Sequence, residues 1–491
     1  MRRIGAVVIL LGAALAVAVV GGPAPATAVP NVVVANGSRF LPPEVRVVQG
    51  TGLTFVNTDG VPHDVTAVER GSNGQPLFKS ATIVTGTSPV AGVEALAPNT
   101  YSFFCTVHTE MRGLLTVVGA AVAPPPVPAP PPTAVALGVS VPTPTSIAFS
   151  SSGDALLVAS YSLGTIFRLP LLPAGLLGPA VEFATGFDSP LGVVQAPDGT
   201  VFVSDSTPST RPGRTRDGRV WAMPPSGGAA STAGRLVVSE LPNGRHNTNN
   251  LAVLGHRLYI TNGSSTDDGT PFGAEEPLSG ALLSVRLSAR GLTPSTAPIG
   301  SLVVEGKGMR NPYDVAFRPG TNEAWLATNG SDMLDPYGED LLMRTTVSPT
   351  PPPTWPTTDF GFPGCVYRAG PNGEPEVGDN AAAYRWYPCD PNHKKPEQAL
   401  GLHVSADGLA FGPGPEGSFW GNDLFVAEFG SFNGTQGHKI VRVPVGPRGV
   451  TGRPVDFFVG GTPLDLAFGP GGLYVADFGT GQITLLRPPS F

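Results

Sequence analysis

The chain has 491 residues, a formal net charge of −7 and only 14% charged residues. That length exceeds one ordinary domain and allows substantial buried cores. The acidic balance gives no electrostatic footprint for nucleic acid, and 64 Gly with 55 Pro argue for many turns and few long surface helices.

In chain order, Arg2 and Arg3 form a positive start, Ile4 to Val20 is apolar, and Ala26-Thr27-Ala28 offers a small-residue cleavage site. This predicts a signal peptide over 1–28. A retained membrane anchor is the alternative, because the apolar run is near bilayer-spanning length. The run ends in Gly21-Gly22-Pro23, which suits cleavage. The paired Arg is too little for a twin-arginine signal. No later stretch is apolar enough to cross a membrane, so we expect a secreted or periplasmic/cell-envelope protein with no stable membrane span after cleavage.

Residues 31–119 read as all-β. Val32-Val33-Val34, Glu44 to Val48 and Leu53 to Val56 are β-rich runs bounded by Gly, Pro and Asn, and Leu114 to Val118 closes the domain. Some ninety residues of this kind suit a Greek-key sandwich, with loops clustered at its ends. One such loop follows an aromatic strand: Tyr101-Ser-Phe-Phe-Cys105-Thr-Val-His108-Thr-Glu-Met111. Upstream, Val61-Pro62-His63-Asp64 supplies a second imidazole. Singly, a Cys in an aromatic strand is a core residue and a lone His is a satisfied polar one. Together, two His, one Cys and one Met are the ligand set of a blue-copper electron-transfer site. On these residues the stretch resembles a small cupredoxin of the plastocyanin and amicyanin type. The two-residue gap between His108 and Met111 is nearer the amicyanin form. The resemblance implies a type 1 copper held by His63, Cys105, His108 and Met111.

Residues 120–136 contain Ala-Pro-Pro-Pro-Val-Pro-Ala-Pro-Pro-Pro, a polyproline II spacer read as a linker. From about 137 to 491 one unit recurs: an apolar strand, a Gly/Pro/Asp turn and a second apolar strand. Its copies begin at Ser146, Gly192, Asn250, Asp314, Gly408 and Asp465, roughly 45–95 residues apart. Six copies with loops of varied length predict a six-bladed β-propeller. A pair of β-sandwiches competes, but it does not predict the repeat. The predicted fold class is therefore all-β: a Greek-key cupredoxin sandwich followed by a six-bladed propeller. The long insert between the fourth and fifth copies carries Cys365 and Cys389. In an exported protein these suit a disulfide closing a loop, two free thiols being the alternative.

A propeller implies no function by itself. Arg245-His246-Asn247-Thr248-Asn249-Asn250 precedes the third repeat and Gly308-Met309-Arg310-Asn311-Pro312-Tyr313-Asp314 the fourth, so both should face one end of the central channel. A His beside an Arg–Asn pair can take a proton while the cation stabilises developing negative charge. The alternative for His246 is an inner-strand imidazole bonded to backbone. Asn329-Gly-Ser-Asp332-Met-Leu-Asp335-Pro-Tyr-Gly-Glu339-Asp340 reads as a solvated turn, a metal site being the alternative. His256, His393 and His438 read as loop residues, and His403 either lines the channel or caps a strand.

These stretches carry a second resemblance. His246-Asn-Thr-Asn-Asn, Leu258-Tyr-Ile-Thr-Asn-Gly-Ser264, Arg310-Asn311-Pro312, Phe360-Gly-Phe-Pro-Gly-Cys365, His403-Val-Ser-Ala-Asp-Gly-Leu, Leu424 to Ser431 and Lys439 to Val443 resemble, in their order, the soluble quinoprotein glucose and L-sorbosone dehydrogenases. The resemblance implies that His246 is the general base and that hydride passes to the C5 carbonyl of pyrroloquinoline quinone. It further implies that Arg310 polarises that carbonyl, that Asn311 contacts the cofactor, and that calcium helps bind it through ligands not assignable from sequence. Lys307, Arg385 and Arg442 are candidate partners for the quinone carboxylates, without a motif behind them.

Joined, the halves predict a PQQ-dependent dehydrogenase of a small sugar, alcohol or aldehyde that hands electrons to its own copper and then to a redox partner protein or respiratory chain component. The alternative is a copper electron carrier whose propeller binds a partner or glycan. Copper storage or delivery fits less well, since trafficking sites expose more soft ligands.

Overall fold

The computed structural model describes residues 31–489, except 38, 72, 98, 119–130, 212–213, 270–274, 296–300, 332–333, 335, 349, 351–356, 371–372, 380–388, 416–417 and 432–433. The predicted signal peptide and most of the Pro-rich linker lie outside the described residues. So do Arg385, Asp332 and Asp335. The chain divides into two compact units, 1–128 and 129–491.

The first unit is a nine-stranded all-β fold. Val32–Ala35 runs parallel to Thr54–Asn57, and Glu44–Val48 runs parallel to Arg112–Val118. The burial alternation of Glu44–Val48 puts Val45 and Val47 inside and Glu44, Arg46 and Val48 outside, as the two-residue strand period demands. Phe40, Phe55, Phe78 and Phe103 meet edge-on in the core. Gly113 sits against the Phe103 ring, where a Cβ would come within 2.3 Å of it. The final hairpin pairs Asn99–Phe104 with Arg112–Val118, closing at Phe104 opposite Arg112. The seven residues between those two are the loop with Cys105, His108 and Met111.

The second unit is a six-bladed β-propeller. Its innermost strands are Pro144–Phe149, Gly192–Gln195, Thr248–Leu254, Asn311–Phe317, Ala406–Phe411 and Pro463–Gly469, each packed beside the next around a ring. Each strand starts one of the six repeats. The ring closes on itself: Thr133–Ser140, before the first blade, pairs with Gln482–Arg487 as the outermost strand of the sixth. Residues 133–136, read as linker, therefore belong to a blade. The Pro-free run that begins at Thr133 can donate ladder hydrogen bonds, which the Pro-rich run before it cannot.

The middle strands explain the sequence pattern. Ala155–Ser160 is buried throughout because its two faces serve two cores: Leu156 and Val158 pack toward the sixth blade, Leu157 and Ala159 toward the second. Six such apolar clusters lie between successive blades.

On the channel side an inner strand has no neighbouring strand to pair with, so side chains must satisfy its backbone. The polar residue that leads a repeat does this for the next blade. Ser146 Oγ accepts from Val193 N at 3.2 Å, Asp314 Oδ2 from Leu409 N at 2.7 Å, and Asp465 Oδ2 from Ile147 N at 2.7 Å. Gly408 leads its repeat because a Cβ there would lie 2.5 Å from the Asp465 Cα.

Candidate functional site

In the first unit the loop geometry gathers the predicted ligands. Cys105 N donates to Met111 O at 3.0 Å and Met111 N to His108 O at 2.9 Å, which tightens the turn. His63 is brought in by a two-way backbone pair with Ile83. His63 Nδ1 lies 3.6 Å from Cys105 Sγ and 3.1 Å from His108 Nδ1, and Cys105 Sγ lies 3.8 Å from His108 Nδ1. A triangle with these sides has a centre about 2.0 Å from each corner, within the ~2.0–2.3 Å of metal–imidazole and metal–thiolate bonds. Met111 is buried in the same core cluster as Cys105.

The hydrogen bond behind His63 sets its tautomer. His63 Nε2 lies 2.9 Å from Asp59 Oδ2, so Nε2 carries the proton and Nδ1 turns its lone pair inward. The His63 Nδ1 lone pair points at His108 Nδ1 3.1 Å away, so it can take either the His108 Nδ1 hydrogen or a metal ion placed between the two rings. Asp64, fully buried, ties the two ligand segments together. Its Oδ1 accepts from Thr106 N at 2.8 Å, and its carboxylate also takes the Thr106 and Thr82 hydroxyls. His63 and Cys105 therefore each precede one end of a buried clamp. The residues present fit a three-coordinate soft metal ion in this place.

In the propeller, a cavity of about 640 Å³ opens where the inner strands begin, a volume typical of small-molecule sites. His246, Arg310 and Asn311 line it together with Arg245, Asn329, Asp340 and His403. The two stretches singled out in sequence thus do meet at one end of the channel. Gly263 lies between them, where a Cβ would come 2.3 Å from the His246 Cβ and 2.8 Å from Asn311 Oδ1.

His246 Nδ1 is 3.0 Å from Ser264 Oγ. Ser264 Oγ donates its own proton to Thr266 O at 2.6 Å, so it can only accept from the imidazole. Nδ1 therefore bears the hydrogen, and Nε2 keeps a lone pair for the cavity. Burial, and then the charge of Arg310, push this imidazole well below its ordinary pKa, with Asp267 opposing. Arg310 is itself fixed: its Nε donates to Asp267 O at 2.8 Å and its terminal nitrogen to the Asp267 carboxylate. Burial alone would raise the Asp267 carboxyl, but Arg310, Ser331 and Arg245 hold it below the usual value. Asn311 belongs to a chain of amides. Its Oδ1 accepts from Asn249 Nδ2 at 2.7 Å and its Nδ2 donates to Asn329 Oδ1 at 2.7 Å, while Asn329 donates on to Asp407 at 3.2 Å.

Several residues differ from their sequence reading. Asp340 is buried rather than solvated: Gly330 N donates to its Oδ1 at 2.6 Å and Ala406 N to its Oδ2 at 3.0 Å, which joins two blades at the cavity. His403 lines the cavity from a backbone with φ 57°, two residues before Ser405 with φ 47°, a conformation that costs energy in non-glycine residues. Lys307 pairs with Asp359 at 3.1 Å, and Arg442 with Asp423 at 2.7 Å and Phe419 O at 2.8 Å, so neither lines the cavity. His393 does lie in a loop. It packs on Cys365 and Cys389, which are joined with Sγ–Sγ 2.00 Å. Asp267 and Asp59 were not singled out in sequence, and Asn329 and Asp64 stood there only inside quoted stretches, without a role. Each reads there as one of many polar turn residues.

A volume of this size holds a planar quinone, and Arg245, 57% exposed and lining the cavity, offers a guanidinium to its carboxylates. The residues fit such an anion at that level. Among the described residues no helix is long and apolar enough to cross a membrane.

Comparison with known proteins agrees with the two-part fold. Residues 7–117 match the family model of the cupredoxin-like domain. Amicyanin-alpha of Methylorubrum extorquens is 33% identical over 84 residues, 16% of this chain and 64% of the relative. Chloroplastic plastocyanin of Physcomitrium patens is 31% identical over 84 residues, 16% of this chain and 49% of the relative. The chain thus spans less than two thirds of either curated relative. Among solved structures, the calcium structure of a Trichoderma reesei carbohydrate-active enzyme of family AA12 has a TM-score of 0.57 at 18% identity, covering 75% of this chain and 100% of that one. The PQQ domain of pyranose dehydrogenase from Coprinopsis cinerea gives 0.56 at 18%, covering 74% and 99%. The soluble aldose sugar dehydrogenase of Escherichia coli gives 0.53 at 18%, covering 73% and 99%. The first unit is a cupredoxin-like domain, and the second shares the propeller fold of these dehydrogenases.

Proposed function

We propose that this is an exported copper electron-transfer protein whose propeller oxidises a sugar or related alcohol or aldehyde with pyrroloquinoline quinone and delivers the electrons to the tethered type 1 copper. The observation that carries the enzymatic half is His246: a neutral imidazole with its proton held at Nδ1 and its Nε2 lone pair left to a 640 Å³ cavity beside Arg310. A base needs that tautomer and that protonation state at neutral pH.

In this reading His246 Nε2 receives the proton of the substrate hydroxyl. Arg310 keeps its cation at a set place because Asp267 holds two of its nitrogens, and it meets negative charge as it develops. Asn311, tied on both sides, orients what binds beside it. The quinone, when bound, supplies a two-electron acceptor, and copper supplies a one-electron carrier. His63, Cys105, His108 and Met111 would hold the copper. Val61, Val84 and Val107, which flank the ligands in the chain or by pairing, are 46%, 50% and 49% exposed and offer a redox partner an apolar surface there. The Pro-rich run makes transfer between the units intramolecular, which raises the effective donor concentration.

The test uses oxidised, copper-loaded protein with calcium and pyrroloquinoline quinone, without oxygen. A panel of aldoses and sorbosone is added and the blue absorption followed. Bleaching that requires both quinone and sugar supports the dehydrogenase and its internal electron path together. A band that ascorbate bleaches, but no sugar in the presence of quinone does, favours the copper carrier with a binding propeller.

A further inference from the structure

We propose that Asp59 is a positioning residue that sets the reduction potential of the copper through His63. This rests on the copper reading above. Asp59 Oδ2 receives the His63 Nε2 hydrogen at 2.9 Å, four residues away. The imidazole is 1% exposed and the carboxylate 15%, so little solvent screens the pair.

The placement is built in. Asn57, 1% exposed, donates to Val61 O and to Ile83 O, both at 2.7 Å, and its Oδ1 accepts from Asp59 N at 3.2 Å. One buried amide therefore holds both ends of the turn that carries Asp59, and fastens it to the strand segment that pairs with His63. The second carboxylate oxygen, Asp59 Oδ1, is buried and receives no hydrogen bond. Among the described residues the imidazole is the only hydrogen-bond donor to that carboxylate. The negative charge is felt through the ring, which becomes a stronger donor at Nδ1.

A stronger donor and a fixed negative charge both favour the cupric over the cuprous state. The Asp59 carboxylate thus lowers the potential, and it also locks the tautomer that presents Nδ1 to the metal. A merely structural turn residue would do neither.

The experiment compares the copper-loaded wild type with Asp59→Asn, Asp59→Glu and Glu110→Gln by spectroelectrochemical titration of the blue absorption. Asp59→Asn keeps an oxygen acceptor for Nε2 and removes only the charge. Its potential should rise clearly above wild type with the blue band retained, and Asp59→Glu should return toward wild type. Glu110 is exposed, two residues from His108, and controls for a screened charge. An Asp59→Asn shift no larger than that of Glu110→Gln overturns the proposal while leaving the copper reading intact. If copper gives the wild type no blue band, the copper reading itself fails and the proposal with it. Should Asp59→Asn fold poorly, Asp59→Ser takes its place: its potential should rise above wild type, and a shift no larger than that of Glu110→Gln overturns the assignment.

Discussion

Ser264 holds His246 in one tautomer. The serine hydroxyl is spent on Thr266 O at 2.6 Å, so the 3.0 Å contact with Nδ1 can only be an imidazole N–H donating to it. Ser264→Ala leaves the more distant Ser264 O, at 3.3 Å, as the remaining acceptor. Sugar oxidation should fall about tenfold in kcat, roughly the 1.4 kcal/mol of one weakened hydrogen bond, with little change in KM. His246→Ala should abolish turnover while the blue absorption persists. Steady-state kinetics and the visible spectrum of the same samples check both.

The depressed pKa of His246 gives a pH signature. Burial and the neighbouring Arg310 keep it neutral well below its ordinary value, so base function is lost only as pH falls through that lowered value. The rate should hold from pH 8 down to about 6.5, the ordinary histidine value, and decline only in more acid solution. A profile of kcat/KM that already falls by half near the ordinary value would exclude His246 as the base.

Cys105→Ser should abolish the thiolate-to-copper colour, since the serine oxygen is a poor substitute for a soft thiolate. Copper binding followed by absorption checks this. A variant that stayed blue would remove Cys105 from the ligand set.

The propeller channel should be less stable in alkali. Burial raises the pKa of Asp314 and of Asp465, the latter to about 6; the Asp465 charge raises Asp314 further, while hydrogen bonds from Ile147 and Leu466 N oppose the rise at Asp465. Groups with raised folded pKa values contribute stability that is full below their unfolded values and lost as pH rises through the folded ones. The thermal midpoint of the propeller should therefore drop between pH 5 and pH 8. Asp465→Asn places an amide N–H against the N–H of Ile147 or Leu466. It should cost about 1–3 kcal/mol and flatten that slope.

Removing the Cys365–Cys389 bond, which spans 24 residues, should cost about 3 kcal/mol. Paired Cys→Ser substitution, followed by thermal unfolding, measures it. The blue absorption of the other unit should not change.

The copper ligands and the six repeats were both legible in the chain, and for related reasons. Cys105, His108 and Met111 lie within seven residues, so a single tight hairpin gathers them whatever surrounds it. The repeats show because each inner and middle strand is buried on both faces and so reads as an apolar run, with a polar or glycine lead residue that the channel side requires. His63 was legible only as one imidazole of the right type, since nothing local says that it faces Cys105.

What the amino-acid order by itself determined is thus whatever short-range chemistry dictates: strand period, turn residues, the ligand loop and the count of blades. The tertiary structure alone decided the partners. Asp267 meets Arg310 across 43 residues, Asp340 meets Ala406 across 66, and the amide chain through Asn249, Asn311, Asn329 and Asp407 spans three blades. Ring closure of the propeller sets these meetings. Their effects on tautomer and protonation depend on burial, which no residue carries in its own identity.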